Sequence, residues 1–444
     1  AIPFYRRAVE LDPDFAHAYG VLSTVYGGTG RPGLAAEYAE KGYALRDRVS
    51  EFEKLRITNF YHGYATGDLN KRIEVLMLLK RTYPREMATP ADLAQTYVQI
   101  GQFDQAVAQA RESIGINPHF APAHRVLGWA LLLLNRFAEA KDALTQALQQ
   151  KLDNPAFHTF LYQMAFINDD TAGMQQQLDW ASGKPYEYIA FDWQTGAAAS
   201  AGQWRGAQEF SRRAIDLAAQ GDTKEVAARY AAEQALRFAV WSSNFSLPSL
   251  ENRKLKVELE TLVQSALKLA RGRVSLPRAA LALALCGQAG QAKPLVEELT
   301  KRYPEDTIIN SIWLPVIRAA MELQRGNAKG ALEQLQTTSR YEAAAEFWPQ
   351  YLRGQAYLKL KQGREAVREF QKILDHRGYS PLSELYPLAH LGSARSAALS
   401  SDLVKSRAAY NDFFKMWKSA DLQILIDVKK EYQQTDQALI QRIR

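Results

Sequence analysis

Residues that suit the end of a helix recur along this chain with a fixed period. Gly101, Asn135, Asp169 and Gly202 are separated by steps of 34, 34 and 33 residues. Glycine, asparagine and aspartate tolerate the left-handed backbone conformation that ends many helices. A constant period of this length is typical of a repeat array, in which each unit packs on its neighbours. The chain of 444 residues is therefore predicted to be a stack of small units.

A second series of positions carries small or slender side chains with the same spacing. Its members are Ala106, Ala140, Met174 and Ala207. We expect two helices to cross closely at each of them, because a small side chain lets two backbones approach. Short amphipathic stretches that end in proline also recur along the chain, and the clearest ones end at Pro13, Pro84, Pro118 and Pro304.

The clearest single unit is DLAQTYVQIGQFDQAVAQARESIGINP, residues 92–118. Its marker residues are Leu93, Ala94, Tyr97, Gly101, Ala106, Ala110 and Pro118. This unit resembles the tetratricopeptide repeat, a helix–turn–helix with set places for these residue types. The resemblance implies an all-α fold, a right-handed superhelix of tandem helix–turn–helix repeats, or α-solenoid. We expect about eleven helix pairs after a leading half-repeat.

The organisation of the chain follows from that array. We predict a repeat array over residues 1–241, an insertion loop over 242–255, a continued array over 256–420 and a capping helix over 421–444. A polar-faced helix is what an array needs at an open end. The first residues, AIPFYRRAVE, have the pattern of an amphipathic helix already under way, so we expect further residues upstream.

One stretch raises the possibility of a nucleotide site. YGGTGRPG, residues 26–33, has the Gly-x-Gly-x-x-Gly spacing of a dinucleotide-binding loop. Such a loop must follow a strand, but the preceding HAYGVLSTVY has helical apolar spacing. Gly30 corresponds to the turn position of Gly101, and Pro32 suits the first turn of the next helix. We predict an inter-helix turn and no nucleotide.

Catalytic, cofactor-binding and metal-binding patterns are not recognisable. His124 and His158 occupy the same repeat position, 34 residues apart, and are predicted to be packing residues. Asp169 and Asp170 fall at a turn, where aspartate caps helices, and the single cysteine, Cys286, is predicted to lie in the core. We therefore predict a non-enzymatic chain without a cofactor or a metal ion.

The charge balance and hydropathy limit the classes of partner. The net charge of +7 comes from 55 basic and 48 acidic residues that are scattered along the chain, so we expect no nucleic-acid partner. No run of 18 apolar residues is present, so we expect no membrane segment in this chain. The compartment stays open between the cytoplasm and a bacterial periplasm, because a membrane helix upstream would decide it.

The resemblance also predicts a binding groove. In the tetratricopeptide family the first helices of successive repeats line a concave face. Repeats that start at Ala121 and Pro155, and the one after them, would place eight residues there: Arg125, Trp129, Leu132, Leu133, Thr159, Gln163, Phe166 and Trp193, with Asp192 as the alternative to Trp193. Exposed aromatic residues beside an arginine fit a binding hot spot. The alternative is that the superhelix closes tightly here and these residues pack on each other.

The end of the array resembles a narrower group of proteins. YPLAHLGSARSAALSSDLVKSRAAYNDFFKMWKSAD, residues 386–421, is similar to the C-terminal repeat region of large bacterial proteins typical of soil acidobacteria. In these, a serine/threonine kinase domain or a winged-helix DNA-binding domain precedes the repeats. This chain has no kinase motif of its own. The resemblance implies a sensor or docking arm of a larger signalling protein.

We therefore expect a scaffold that binds a protein or peptide. One alternative is a nucleic-acid-binding helical repeat, favoured only by the basic excess, although the groove positions lack the recurrent polar pairs of such repeats. A second alternative is an enzyme with its site in the 242–255 insertion, which has serine, asparagine and glutamate but no histidine.

Overall fold

The computed structural model describes residues 2–221, 223–245 and 252–443, and within them the chain is helical with no strand. In order the helices are α1 (Ile2–Leu11), α2 (Ala16–Gly28), α3 (Pro32–Ala44), α4 (Glu51–Phe60), α5 (Leu69–Thr82), α6 (Ala88–Gln99), α7 (Phe103–Ile116), α8 (Ala121–Leu133), α9 (Phe137–Gln149), α10 (Pro155–Ile167), α11 (Thr171–Ala181), α12 (Tyr188–Ser200), α13 (Trp204–Gln220), α14 (Lys224–Asn244), α15 (Asn252–Leu269), α16 (Ser275–Leu285), α17 (Ala289–Arg302), α18 (Leu314–Gln324), α19 (Ala328–Leu335), α20 (Trp348–Lys359), α21 (Gly363–Leu374), α22 (Leu385–Leu399), α23 (Leu403–Met416) and α24 (Leu422–Ile443).

Consecutive helices pack in pairs, from α2 with α3 to α22 with α23. Within the part of the chain that the structure describes, helices α2 to α23 make eleven such pairs after α1, in agreement with the prediction of about eleven. First helices of neighbouring pairs also contact each other, as α6 does α8 and α14 does α16. The chain is an all-α helical-repeat solenoid, as its periodicity predicts.

The predicted turn positions have the predicted backbone conformation. The φ angles are +80° at Gly101, +58° at Asn135, +53° at Asp169 and +76° at Gly202. Gly30 has φ +76° and lies in the same way at the turn between the two helices of the first full repeat. The glycine-rich stretch is therefore an inter-helix turn, because α2 precedes it where a nucleotide loop requires a strand.

The small positions of the second series lie inside the helix pairs. Ala106 and Ala140 have no exposed surface and Ala207 is 3% exposed, while Met174 is half-buried. Asp170 caps α11, since its carboxylate accepts a hydrogen bond from the Gly173 amide at 2.8 Å. The predicted turn-and-cap role of the aspartate pair is confirmed.

The structure describes part of the predicted 242–255 insertion and most of the predicted C-terminal capping helix. Helix α14 continues to Asn244 and α15 begins at Asn252, so the centre of the predicted 242–255 insertion, residues 246–251, lies outside the described residues. Helix α24 packs on the last pair through Glu431, whose carboxylate accepts hydrogen bonds from Arg395 at 2.9 Å and from the Tyr410 hydroxyl at 3.1 Å. The domain boundaries themselves stay predictions.

The array closes on itself, which the repeat pattern does not reveal. We call helices α1 to α13 the first half of the array and helices α14 to α24 the second half. Turns and helix starts of the first half contact loops and helix ends of the second half. The amide of Gly33 donates to Glu225 at 3.0 Å, that of Leu69 to the Thr307 hydroxyl at 3.0 Å, and the Asn135 side chain bonds the backbone near Gly378. We refer to this line of contacts, from Gly33 to the Trp417 contact described next, as the closure seam.

A buried tryptophan lies near the C-terminal end of the closure seam. The indole Nε1 of Trp417 donates to the Ser200 carbonyl at 3.0 Å, and the Trp417 side chain has no exposed surface. Its ring stacks on Trp241 with 5.4 Å between centroids. A Cβ on Gly202 would lie 2.8 Å from the Trp417 ring, so only glycine allows this approach.

Candidate functional site

Closure leaves a cavity of 710 Å³ between the two halves of the array. One side consists of the first helices α8, α10, α12 and α14, and the other consists mainly of the loops that precede α16, α18, α20 and α22. The repeat geometry explains this arrangement, because first helices face inward and the loops between pairs of the second half lie opposite them.

Five of the eight predicted groove residues line this cavity, namely Arg125, Trp129, Leu132, Leu133 and Gln163. They come from α8 and α10, which begin at Ala121 and Pro155 as the repeat register predicts. Leu132 and Leu133 are 1% and 7% exposed, whereas Arg125, Trp129 and Gln163 are half-buried. The wall is therefore partly packed and partly open to the cavity.

The other three predicted residues lie elsewhere. Trp193 is 2% exposed and stacks on Tyr162 with 5.2 Å between ring centroids, within the core. Phe166 faces the Arg377 guanidinium at 5.9 Å. The Thr159 hydroxyl donates to the Pro155 carbonyl of its own helix at 3.1 Å. Whether any of the eight contacts a partner stays a prediction.

We refer to Trp129, Leu132, Leu133 and Phe160 as the aromatic wall of the cavity. The rings of Trp129 and Phe160 are nearly parallel, with an interplanar angle of 11° and centroids 6.3 Å apart. Phe160 is 8% exposed and also lines the cavity, so the two rings form one apolar surface. This offset stacking holds the Trp129 ring in one orientation beside the cavity.

A guanidinium stands beside the aromatic wall. Arg125 lies one helical turn before Trp129, and its Nη2 donates to Gln95 Oε1 at 2.6 Å. Burial lowers the pKa of Arg125, but arginine titrates so far above neutral pH that the group stays charged. The hydrogen bond to Gln95 leaves other N–H donors of the fork for an acceptor in the cavity.

A second wall of the cavity is charged, and we refer to Asp192, Arg229, Glu233, Arg237, Arg278, Glu346 and Glu384 as the charged wall. These residues come from α12, α14, α16 and the loops before α20 and α22. The groove register predicted from the sequence offered Asp192 as the alternative to Trp193, and Asp192 is the one that lines the cavity. Sequence reasoning missed the other six, because single charged residues on separate elements form no local motif.

The ion pairs of the charged wall differ in length. Arg278 Nη2 lies 2.7 Å from Glu346 Oε1, and its Nε lies 3.4 Å from Glu233 Oε1. Arg229 Nη1 is 3.5 Å from Glu233. The Arg278 guanidinium also lies 4.8 Å from the centre of the Trp313 ring. Arg278 and Glu233 are thus the best-paired groups of this wall.

The pKa values of the carboxylates reflect those pairings. Burial acts to raise the pKa of Glu233, but Arg229, Arg278 and Arg237 outweigh it and lower that pKa. Burial raises the pKa of Asp192 to about 6, because Arg229 compensates it only in part. Burial also raises the pKa of Glu384. The charged wall therefore holds carboxylates of two kinds, well paired and poorly paired.

Loops of the second half cover part of the concave face. A Cβ on Gly196 of α12 would lie 2.8 Å from Leu382 Cβ, and the amide of Gly378 reaches Asn135 at the end of α8. Trp348 and Tyr379 also line the cavity from this side. A long helix or strand cannot lie along the whole concave face, because these loops occupy it.

The two histidines at equivalent repeat positions, His124 and His158, are buried and lie within hydrogen-bonding distance of neighbouring groups. His124 and His158 are both 6% exposed, with His124 Nε2 at 2.8 Å from the Pro118 carbonyl and His158 between Gln177 and Asp153. Their predicted packing role is confirmed. Searching the described ranges reveals no cluster of three or more His, Cys, Asp or Glu side chains suited to a metal ion. In the same ranges no helix has the length and apolar character needed to cross a bilayer.

Comparisons with known proteins bear on the repeat type. A family model of the tetratricopeptide repeat matches residues 97–163. A comparison with curated protein sequences finds no match. Among solved structures, the chain is similar to the P58(IPK) TPR domain, with 14% identity, 88% of this chain and 99% of that chain covered, and a TM-score of 0.27.

Two further solved structures are similar over most of their length. For the human IFIT1 dimer with PPP-AAAA the identity is 15%, the coverage is 85% of this chain and 86% of that chain, and the TM-score is 0.43. For yeast Tom70 the identity is 13%, the coverage is 97% of this chain and 97% of that chain, and the TM-score is 0.36. The stretch from the end of α6 to α10 is thus of tetratricopeptide type, within an all-α helical-repeat solenoid.

Proposed function

We propose that this chain is a non-enzymatic scaffold that binds a protein or peptide partner in the cavity between its two halves. The observation that carries the proposal is the half-buried Trp129 ring, held by Phe160 on the cavity wall with Arg125 and Gln163 beside it. Tryptophan and arginine dominate binding hot spots, because they combine a large apolar area with directional hydrogen bonds. The tetratricopeptide match over α8 and α10 supports a protein-binding role for this wall.

The closed geometry defines the size of the bound segment. A volume of 710 Å³ falls within the range of pockets that bury a small ligand, roughly 300–1,000 Å³. A few residues of a chain end or of a short loop fit such a space, and a long helix does not. Because the closure seam fixes the walls before binding, little ordering entropy is lost when the segment enters.

The test is a selection of short peptides on the whole chain, for example from a phage-displayed library. We expect the selected peptides to bind Trp129→Ala about tenfold more weakly, since a central aromatic anchor contributes at least that much. Trp180→Ala is the matched control, because Trp180 is a half-buried tryptophan that stacks on His158 and does not line the cavity. Thermal unfolding of both variants measures the cost to stability.

Equal losses of binding in Trp129→Ala and Trp180→Ala would contradict the proposal. So would a loss of binding in Trp129→Ala that only follows its loss of thermal stability.

We further propose that the scaffold is the docking or sensor arm of a larger bacterial signalling protein with a serine/threonine kinase domain. The support is the resemblance of residues 386–421 to the repeat regions of such proteins. A winged-helix transcriptional regulator is the alternative parent. The mass of the native polypeptide and its upstream peptides decide this: kinase peptides support the proposal, and a native chain of about the mass of this segment contradicts it.

A further inference from the structure

The charged wall has more carboxylates than guanidiniums. Its acidic members are Asp192, Glu233, Glu346 and Glu384, and its basic members are Arg229, Arg237 and Arg278. The other charges of the cavity are Arg125 beside the aromatic wall and the ion pair of Arg273 with Asp306 at 2.9 Å. With every group ionised, the charged wall therefore has an excess of one negative charge, which Arg125 offsets when the whole lining of the cavity is counted.

The excess lies on the carboxylates with the poorest partners. Glu233 and Glu346 share Arg278 at 3.4 and 2.7 Å. The shortest ion pair of Asp192 is with Arg229 Nη2, at 3.6 Å. The shortest ion pair of Glu384 is with Arg237 Nε, at 3.9 Å. Neither carboxylate is hydrogen-bonded to another side chain of the described chain.

Glu384 makes this arrangement unusual for a purely structural network. It is only 7% exposed, lines the cavity, and still lacks a close partner. A buried carboxylate whose nearest guanidinium is 3.9 Å away is costly, because that distant ion pair compensates only part of the lost hydration. A cation that enters the cavity would supply a closer partner.

We propose that the charged wall receives the basic side chain of the partner segment at Asp192 and Glu384, while apolar residues of that segment pack on the aromatic wall. This inference rests on the proposed function and adds the chemistry of the partner, a short apolar segment with one lysine or arginine. The aliphatic stem of such a side chain can cross the apolar part of the cavity while its head reaches the carboxylates.

The competing explanation is an ion network that only holds α12, α14, α16 and the loops before α20 and α22 together. In that case the network needs no ligand, and a proton on Asp192 balances the excess charge only below about pH 6, because burial raises the pKa of this carboxyl to about 6. The two explanations differ in one observable property, the preference of the cavity for a basic ligand over a neutral ligand of the same shape.

The experiment uses the full chain and three blocked tripeptides, acetyl-Leu-Lys-Phe-amide and its norleucine and glutamate analogues. Calorimetry or competition measures their affinities. We expect the lysine peptide to bind about tenfold more tightly than the norleucine peptide, since a desolvated charge pair contributes at least this factor, and the glutamate peptide to bind most weakly. Asp192→Asn should reduce the lysine preference to about twofold or less.

Asp142→Asn is the matched control, because Asp142 is exposed on α9 and does not line the cavity. It should leave all three affinities unchanged. If the lysine and norleucine peptides bind equally and Trp129→Ala weakens both, the charge inference is overturned while the proposed function stands. If none of the peptides binds, the inference is overturned as well, and the peptide selection above decides the proposed function separately.

Discussion

Replacing Asn135 by glycine tests whether the closure seam stabilises the chain. The Asn135 side chain spans both halves: its Nδ2 donates to the Asp375 carbonyl at 2.8 Å, and its Oδ1 accepts from the Gly378 amide at 2.8 Å. Glycine keeps the left-handed backbone, φ +58°, without strain and removes only the side chain. The substitution therefore separates the role of Asn135 in the turn from its role in the closure seam.

The expected loss is about 2 kcal/mol in the free energy of unfolding. Two hydrogen bonds contribute about 1 kcal/mol each, and the buried Gly378 amide is left without its partner, which costs a further 1 kcal/mol or so. The relief of left-handed strain by glycine recovers about 1 kcal/mol at most. Lys361→Gly is the matched control, because Lys361 has the same φ of +58° at an exposed turn, and it should change stability by less than about 1 kcal/mol.

Urea unfolding measures the global effect, and native-state hydrogen exchange measures the local one. The Gly378 amide should exchange about thirtyfold faster in Asn135→Gly, which corresponds to about 2 kcal/mol of easier local opening. Unchanged protection of Gly378, or equal stability of the two glycine variants, would refute the role that we assign to the closure seam.

Three further outcomes follow from the site and its surroundings. Since burial raises the pKa of Asp192 from 3.8 to about 6, its ionisation destabilises the folded chain as pH rises through this interval. As the pH rises from about 4 to 7.5, the free energy of unfolding of Asp192→Asn should therefore increase by on the order of 2 kcal/mol relative to that of the wild type, as measured by urea unfolding. A difference in unfolding free energy that does not change with pH would contradict this. Burial raises the pKa of the Cys286 thiol, which lies 3.4 Å from the Ser242 hydroxyl, so a thiol reagent should modify it at least tenfold or so more slowly in the folded chain than in urea. Equal rates would be inconsistent with that burial. In a gel-shift assay the chain should not retard single-stranded RNA or duplex DNA, and retardation with a steep salt dependence would instead reveal phosphate contacts.

The repeat period predicted the local structure because each helix pair obeys local rules. A left-handed residue is needed after the first helix of each repeat, so Gly101, Asn135 and Asp169 could be identified as turns without their neighbours in space. The register of α8 and α10 followed in the same way, and it placed Arg125, Trp129 and Gln163 around the cavity.

The closure seam and the charged wall could not be predicted by the same means. Asn135 was recognisable as a turn residue, but its bonds to residues 375 and 378 depend on the curvature summed over many repeats. Small angular differences at each packing step decide where the second half lies. Trp193 shows the same limit on a smaller scale: its ring packs on Tyr162 and the preceding residue, Asp192, lines the cavity, so the predicted register of α12 differs from the structure by one residue.

The closure seam also changes how such an array should fold. In an open solenoid each repeat contacts only its neighbours, so folding can begin anywhere and repeats can be lost from an end one at a time. Here hydrogen bonds join residues 192 positions apart at Gly33 and Glu225 and 243 positions apart at Asn135 and Gly378. Such long loops must close before their contacts contribute, which slows folding. Once closed, the two halves should unfold together, and removing a terminal repeat should weaken repeats far away in the sequence.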